Sequence, residues 1–236
     1  MIAEAIKWGF RKIGLDVHKL YQPPENRFKW LQEFNIRTII DVGANRGQFA
    51  FMIQPFFPEA VIYCFEPQRD VAARLENRAH KAGIDDRLVV FGVGLGNFNG
   101  LVKINRAVNT TDTSLLKMTD YFMGIYKSPS VFVPEEVMIR RLDDLRFKIW
   151  PELMVKIDVE GYESQVLRGA ERTLAEAKVL YIEVTFLKER YGGQPLFDEL
   201  YSRVRAMGFE CAGFSQTYFH YRTGAPYYAD AVFIRK

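Results

Sequence analysis

The chain has 236 residues, 48% of them hydrophobic and 26% charged, which fits one globular domain with a substantial core. No apolar run approaches the roughly eighteen residues that span a bilayer. The N-terminus lacks a signal peptide's apolar core and cleavage site, so the expected compartment is the cytoplasm. The net charge of +3 sits in residues 1–40, with seven Lys/Arg against four Asp/Glu; the remainder balances at 32 − 7 = 25 against 29 − 4 = 25, without the basic face of a nucleic-acid binder.

In chain order, Ile2, Ile6, Phe10, Ile13, Val17 and Leu20 recur at helical spacing, with Lys7, Arg11 and Lys12 between them. This basic amphipathic segment predicts a helix packed on its own domain, with peripheral membrane contact as the alternative. Pro23-Pro24 ends it, and residues 1–35 read as a helical extension of a main domain at 36–236. Strands are then expected at Thr38–Val42, Val61–Phe65, Leu88–Phe91, Leu153–Ile157 and Val179–Val184, with helices over 47–54, 68–82, 163–177 and 195–207. The alternation predicts a parallel sheet with helices on both faces. Phe209–Phe214 and Ala229–Ile234 follow with no helix between them, so these two strands should pair antiparallel. The expected fold class is α/β: a mostly parallel seven-stranded sheet with one antiparallel strand, the architecture of class I methyltransferases with their Rossmann-like fold. Leu101–Asn105 reads as a short strand, and an irregular loop is expected from there to about residue 137. Cys64 and Cys211 both fall in apolar strand-like runs and predict buried reduced thiols.

The chemistry concentrates at predicted strand ends. Ile39-Ile-Asp-Val-Gly-Ala-Asn-Arg-Gly47 runs from a strand through a glycine turn toward a helix. Gly43, Ala44, Asn45 and Gly47 would let backbone N–H groups approach a ligand, and Asp41 would anchor the loop or the ligand's amino group. A dinucleotide fingerprint requires Gly-x-Gly-x-x-Gly, but Asn45 and Gln48 stand at its second and third glycine positions. Glu66, followed by Pro67 at the end of the next strand, suits a ribose diol. Gly92, Val93 and Gly94 are small enough to wall a flat adenine. In Val155-Lys-Ile-Asp-Val-Glu160, the period of two in a strand places Lys156, Asp158 and Glu160 on one side at the ligand-binding rim.

These motifs together resemble the FkbM family of S-adenosylmethionine-dependent methyltransferases. The resemblance rests on Lys156-Ile-Asp-Val-Glu-Gly-Tyr-Glu163 with Val166-Leu-Arg-Gly-Ala170, and on Ile40-Asp-Val-Gly-Ala-Asn45 paired with Phe65-Glu-Pro67. Arg141-Leu-Asp-Asp-Leu145, Thr113-Ser-Leu-Leu116 and Leu180-Tyr-Ile-Glu-Val184 extend it over roughly 36–214. It implies O-methylation of a hydroxyl, on a sugar, glycan or polyketide-type product, with S-adenosylmethionine converted to S-adenosylhomocysteine. It also implies that Asp41, Gly43, Asn45 and Glu66 serve the cofactor and that Asp158 and Glu160 lie near the methyl-transfer centre. Where the family often places His shortly after the acid of the closing strand, this chain has Thr185-Phe186.

A base must take the acceptor's proton. Asp158 is the first candidate, and it can instead contact the cofactor; Glu160 is the second, and Lys156 can hold the acceptor or tune a carboxylate. His220, in the connection between the last two strands among several aromatic residues, is a further candidate base. No tight His/Cys cluster assigns a metal. The loop 105–137 and the connection 215–228 should shape the acceptor site. Two rival readings stand beside the enzyme: an NAD(P)-dependent oxidoreductase, for which no Tyr-x-x-x-Lys pair is in place, and a non-catalytic module that keeps the fold. A small-molecule or glycan acceptor, no nucleic acid and a possible homodimer complete the expectation.

Overall fold

A computed structural model describes residues 27–107, 113–125, 132–220 and 223–235, with Trp8, Phe10 and Lys12. The expected amphipathic leader, apart from those three residues, lies outside the described residues, as do 108–112 and 126–131 of the expected loop. The strands are β1 (Thr38–Val42), β2 (Val61–Phe65), β3 (Leu88–Phe91), β4 (Gly94–Leu95), β5 (Gly100–Ala107), β6 (Phe132–Arg140), β7 (Leu153–Ile157), β8 (Ala177–Thr185), β9 (Glu210–Phe219) and β10 (Pro226–Ile234).

Seven of them form one sheet in the order β3-β2-β1-β7-β8-β10-β9. β3, β2, β1, β7 and β8 pair parallel, and β10 pairs antiparallel with both β8 and β9. β10 is therefore the single reversed strand, as the missing crossover helix predicts. Every residue of β1 and β7 is buried, which is why both read as near-continuous apolar runs. Alternation divides their side chains between two cores. Ile39 and Met154 pack beside Phe49, Ile53 and Leu75 from the helices Gln48–Ile53 and Arg69–Lys81. Ile40 and Val155 pack beside Leu167, Leu174, Leu200 and Val204 from the helices on the opposite face. Phe28 and Leu31, from the expected extension, are buried in the first of these cores.

Three expectations change. The helix expected over 163–177 divides into Glu163–Gly169 and Glu171–Ala175, and β8 begins at Ala177. The division falls where the chain crosses the backbone of Gly96: a Cβ on Gly169 would lie 1.8 Å from the Gly96 carbonyl oxygen. The expected loop 105–137 is largely ordered. β5 and β6 pair antiparallel and β4 adds to β6, giving a second, three-stranded sheet, and a helix spans Asp120–Ile125. Pro134 hides β6 in the sequence, yet it faces Asn105, whose N–H donates to the Ser114 carbonyl at 2.8 Å and whose carbonyl accepts from the Ser114 N–H at 3.3 Å, so that carbonyl requires no donor from β6. A residue with no N–H is tolerated opposite such a position. Finally, Cys64 is buried but Cys211 is exposed, because it sits on the edge strand β9. No helix among the described residues is long and apolar enough to cross a membrane.

Candidate active site

The carboxyl ends of β1, β2, β7 and β8 open into a cleft of about 430 Å³, within the range of small-molecule sites. At its β1 end the chain turns sharply at Gly43, whose φ is +76°. A Cβ there would stand 1.9 Å from the Asp158 carbonyl oxygen, so the loop after β1 and the loop after β7 touch only because this residue is glycine. The Gly43 and Ala44 N–H groups donate to the Phe65 carbonyl at 3.0 and 3.1 Å, tying the turn to β2. Glu66 completes this end. Its Oε2 accepts from the Asn45 N–H at 3.0 Å and its Oε1 from the Gln68 N–H at 2.9 Å. Burial raises its pKa against the pull of those donors. Oε1 also accepts from the Gln68 side-chain amide at 3.4 Å, so it is Oε2, with one donor, that retains acceptor capacity toward the cleft Glu66 lines.

The centre of the cleft is ionic. Asp41 and Lys156 are register partners on β1 and β7, and the Lys156 Nζ lies 3.1 Å from Asp41 Oδ1 and 3.4 Å from Asp158 Oδ2. It also donates to the Gly43 carbonyl at 3.1 Å. Burial opposes the Lys156 charge, but the carboxylates of Asp158 and Asp41 outweigh it and hold the ammonium above its ordinary pKa. Burial pushes the Asp41 carboxyl the other way, upward.

Glu160 reaches this group by a route that the strand period does not supply. β7 ends at Ile157, and the backbone enters the left-handed region at Glu160 (φ +54°) and Gly161 (φ +97°). The Glu160 carboxylate then pairs with Arg190 and accepts from the Tyr191 hydroxyl at 2.9 Å. Arg190 also holds Glu183, from the end of β8, at 2.9 Å. Burial and the neighbouring Asp158 charge raise the Glu183 pKa. Asp158, Glu160 and Glu183 bring carboxylate oxygens within 4.8 Å of one another, a spacing that could hold a divalent cation, but Arg190 spans two of the three and supplies their counter-charge. Glu163 is buried beneath, accepting from the Val159 and Gly161 N–H groups, with its pKa raised by burial to about 7.

Of the residues singled out in the sequence, Gly43, Ala44, Asn45, Glu66, Pro67, Gly94, Lys156, Asp158 and Glu160 line this one cleft. Asp41 lies beneath it, under Lys156. Gly47, with φ +79°, precedes the helix Gln48–Ile53 and packs on Leu75. Gly92 and Val93 are not among the lining residues. Neither is His220, whose backbone N–H donates to Ala225 in the turn between β9 and β10. Arg190 and Glu183 carry no sequence signal beyond the acid of the closing strand, since a buried arginine and a surface arginine read alike. Thr185, where the family pattern often has histidine nearby, is buried and accepts from the Gln194 side chain at 3.0 Å.

The model for the methyltransferase FkbM domain matches residues 41–211, which takes in every element of the cleft from the Gly43 turn to β8. The chain belongs to the FkbM methyltransferase family. The chain is 29% identical over 165 residues to the 2-O-methyltransferase NoeI of Sinorhizobium fredii, the match covering 66% of each protein. In fold it is similar to the crystal structure of methyltransferase FkbM from Methylobacillus flagellatus KT, with a TM-score of 0.54 at 16% identity over 85% of this chain and 44% of that one. It is also similar to a Klebsiella pneumoniae protein assigned as an O-methyltransferase, with a TM-score of 0.51 at 10% identity over 99% of this chain and 89% of that one.

Proposed function

We propose that this FkbM-family protein transfers a methyl group from S-adenosylmethionine to a hydroxyl of a small molecule, a sugar, glycan or polyketide-type product. The observation that carries the reading is the union, in one cleft, of a nucleoside-type corner with an ionic centre. The corner comprises the Gly43 turn and the Glu66 carboxylate; the centre comprises Lys156 and Asp158. The residues present fit the donor. Gly43, Ala44 and Asn45 line the cleft beside Glu66, which offers an acceptor lone pair to a ribose diol, and Pro67 and Gly94 leave a shallow flank for the base. The likeness to a 2-O-methyltransferase supports a hydroxyl acceptor.

When bound, the donor supplies an already electrophilic methyl. The chain's own work is then alignment of the acceptor oxygen and removal of its proton. We assign the proton to Asp158. Glu160 is held by Arg190 and Tyr191, whereas Asp158 has 36% of its side chain exposed toward the cleft it lines. Lys156 steadies the Asp158 carboxylate from below.

Isothermal titration with S-adenosylhomocysteine and with NAD tests the cofactor. Binding of the first and not the second is expected; the reverse would support an oxidoreductase. Asp158→Asn should retain S-adenosylhomocysteine binding and lower turnover by about 100-fold, the scale of a lost general base. Unchanged turnover would remove Asp158 from this role.

A further inference from the structure

One end of the cleft is left over once the cofactor corner and the Lys156–Asp158 centre are assigned. It is built on the neighbouring strands β8, β10 and β9. Glu183 on β8 is the register partner of Asp230 on β10, which is in turn the partner of Gln216 on β9; one step further out, Tyr228 pairs with Tyr218. Because partners across a sheet share a face, these residues form a continuous polar and aromatic shelf, and all five line the cleft.

The chemistry of the shelf is specific. Tyr218 stacks on Tyr228 with ring centroids 4.3 Å apart and planes 17° apart, and the Arg190 guanidinium lies 4.5 Å from the centroid of Tyr228. Tyr228 is thereby clamped between a cation and a ring, and Tyr218, 37% exposed, is left as the outer plate. Asp230 stands beside it, with one oxygen, Oδ2, accepting from the Tyr181 hydroxyl at 2.9 Å. Arg27 donates to the Gln216 side-chain Oε1 at 2.7 Å, so Gln216 has its side-chain amide N–H groups to offer, while the buried Arg27 Nε has no hydrogen-bond partner. A flat apolar plate ringed by a carboxylate and fixed amide and guanidinium donors matches the apolar face and equatorial hydroxyls of a pyranose. The carboxylates of Asp158, Glu183 and Asp230 argue against an anionic acceptor.

We infer that this shelf is the acceptor subsite and that its occupant is a neutral saccharide ring, stacked on Tyr218 with a hydroxyl donating to Asp230. The inference rests on the methyl-transfer reading and narrows its acceptor from sugars, glycans and polyketide-type products to carbohydrates alone, at a named subsite. Burial, with the Asp158 charge, raises the Asp230 carboxyl to about 6, against the Tyr181 hydrogen bond and the positive charges of Lys156 and Arg27. Glu183 is the other acid at its flank. Sugar binding should therefore strengthen as pH rises through about 6, when Asp230 becomes a charged acceptor.

The test is saturation-transfer NMR on the full chain with S-adenosylhomocysteine present. The probes are methyl pyranosides of glucose, galactose, mannose, N-acetylglucosamine and 6-deoxyhexoses, together with a macrolactone aglycone. At least one pyranoside should receive saturation at its ring C–H protons. Tyr218→Ala should weaken that binding about fivefold, and Asp230→Asn should abolish its rise across pH 6, with the affinity for S-adenosylhomocysteine unchanged in both. No transfer to any pyranoside, transfer to the aglycone alone, or wild-type sugar binding in both variants would overturn the subsite. S-adenosylhomocysteine is titrated separately. Its failure to bind with sugar transfer intact removes the methyl-transfer reading and leaves the shelf, and the converse removes the shelf alone.

Discussion

Three acids lie within six positions of one another in Asp158-Val-Glu-Gly-Tyr-Glu163, and each does something different. Asp158 pairs with Lys156, Glu160 with Arg190, and Glu163 with the backbone of the turn that carries the other two. Only the first pairing follows from the strand period; the second needs a left-handed turn, and the third needs full burial. Glu163 makes a prediction of its own. Burial outweighs its two backbone donors and raises its pKa from 4.5 to about 7. With the folded value above the unfolded one, the stability tied to its proton is fully present below about 4.5. It is lost as pH rises toward about 7, because the unfolded chain releases its proton first. Glu163→Gln keeps an acceptor for Val159 and Gly161 and removes the titration. Urea unfolding at pH 5 and pH 7 should show the wild type losing more stability over that interval than the variant, by up to roughly 2 kcal/mol at about 1.4 kcal/mol per unit. Equal losses would mean that Glu163 is ionised in the fold already at pH 5.

At the level of elements, what the sequence shows is what burial on both faces makes visible. β1, β2 and β7 are five-residue runs, apolar but for Thr38, Asp41 and Lys156, and their expected limits match the observed ones. The reversal of β10 was legible from a missing helix. β6 was not, because Pro134 breaks a strand pattern and the reason it is tolerated, the pairing of the Asn105 carbonyl with the Ser114 N–H, is a tertiary fact. The break after Gly169 was equally hidden: Leu167-Arg-Gly-Ala170 reads as helix, and only the crossing of Gly96 gives the glycine its reason. Gly169→Ala tests that crossing. Its Cβ would meet backbone on the far side, which cannot rotate away as a side chain can. The cost should reach about 3 kcal/mol, the upper part of the range for overpacking. A loss below about 1 kcal/mol in urea unfolding would show that the helix end and the Gly96 segment separate easily.

Across the whole molecule, the cleft is a product of strand order and not of sequence neighbourhood. The face that carries Asp41 on β1 carries Lys156 on β7, Tyr181 and Glu183 on β8, Asp230 on β10 and Gln216 on β9, so one polar row crosses five strands drawn from 38–42 to 210–219. The sequence places Asp41, Glu66, Lys156 and Asp158 at strand ends, which is enough to find one end of the cleft. Asp230 and Gln216 enter only through register, and Arg190 only through the segment after β8 that brings it to Glu160 and Glu183. A ligand that bridges strands in this way should stabilise the fold as a unit. At 100 times its dissociation constant, S-adenosylhomocysteine should add about 2.7 kcal/mol and raise the melting temperature by roughly 5–10 °C for a chain of this length. Glu66→Ala should lower the ligand-free melting temperature, since Asn45 and Gln68 each lose an acceptor. It should also reduce the ligand-induced increment to about a degree at the same concentration. The increment, not the starting temperature, is the reading that decides. If it survives in Glu66→Ala while NAD still gives none, the nucleoside is held elsewhere along the polar row, and the corner formed by β1 and β2 serves the fold and not the cofactor.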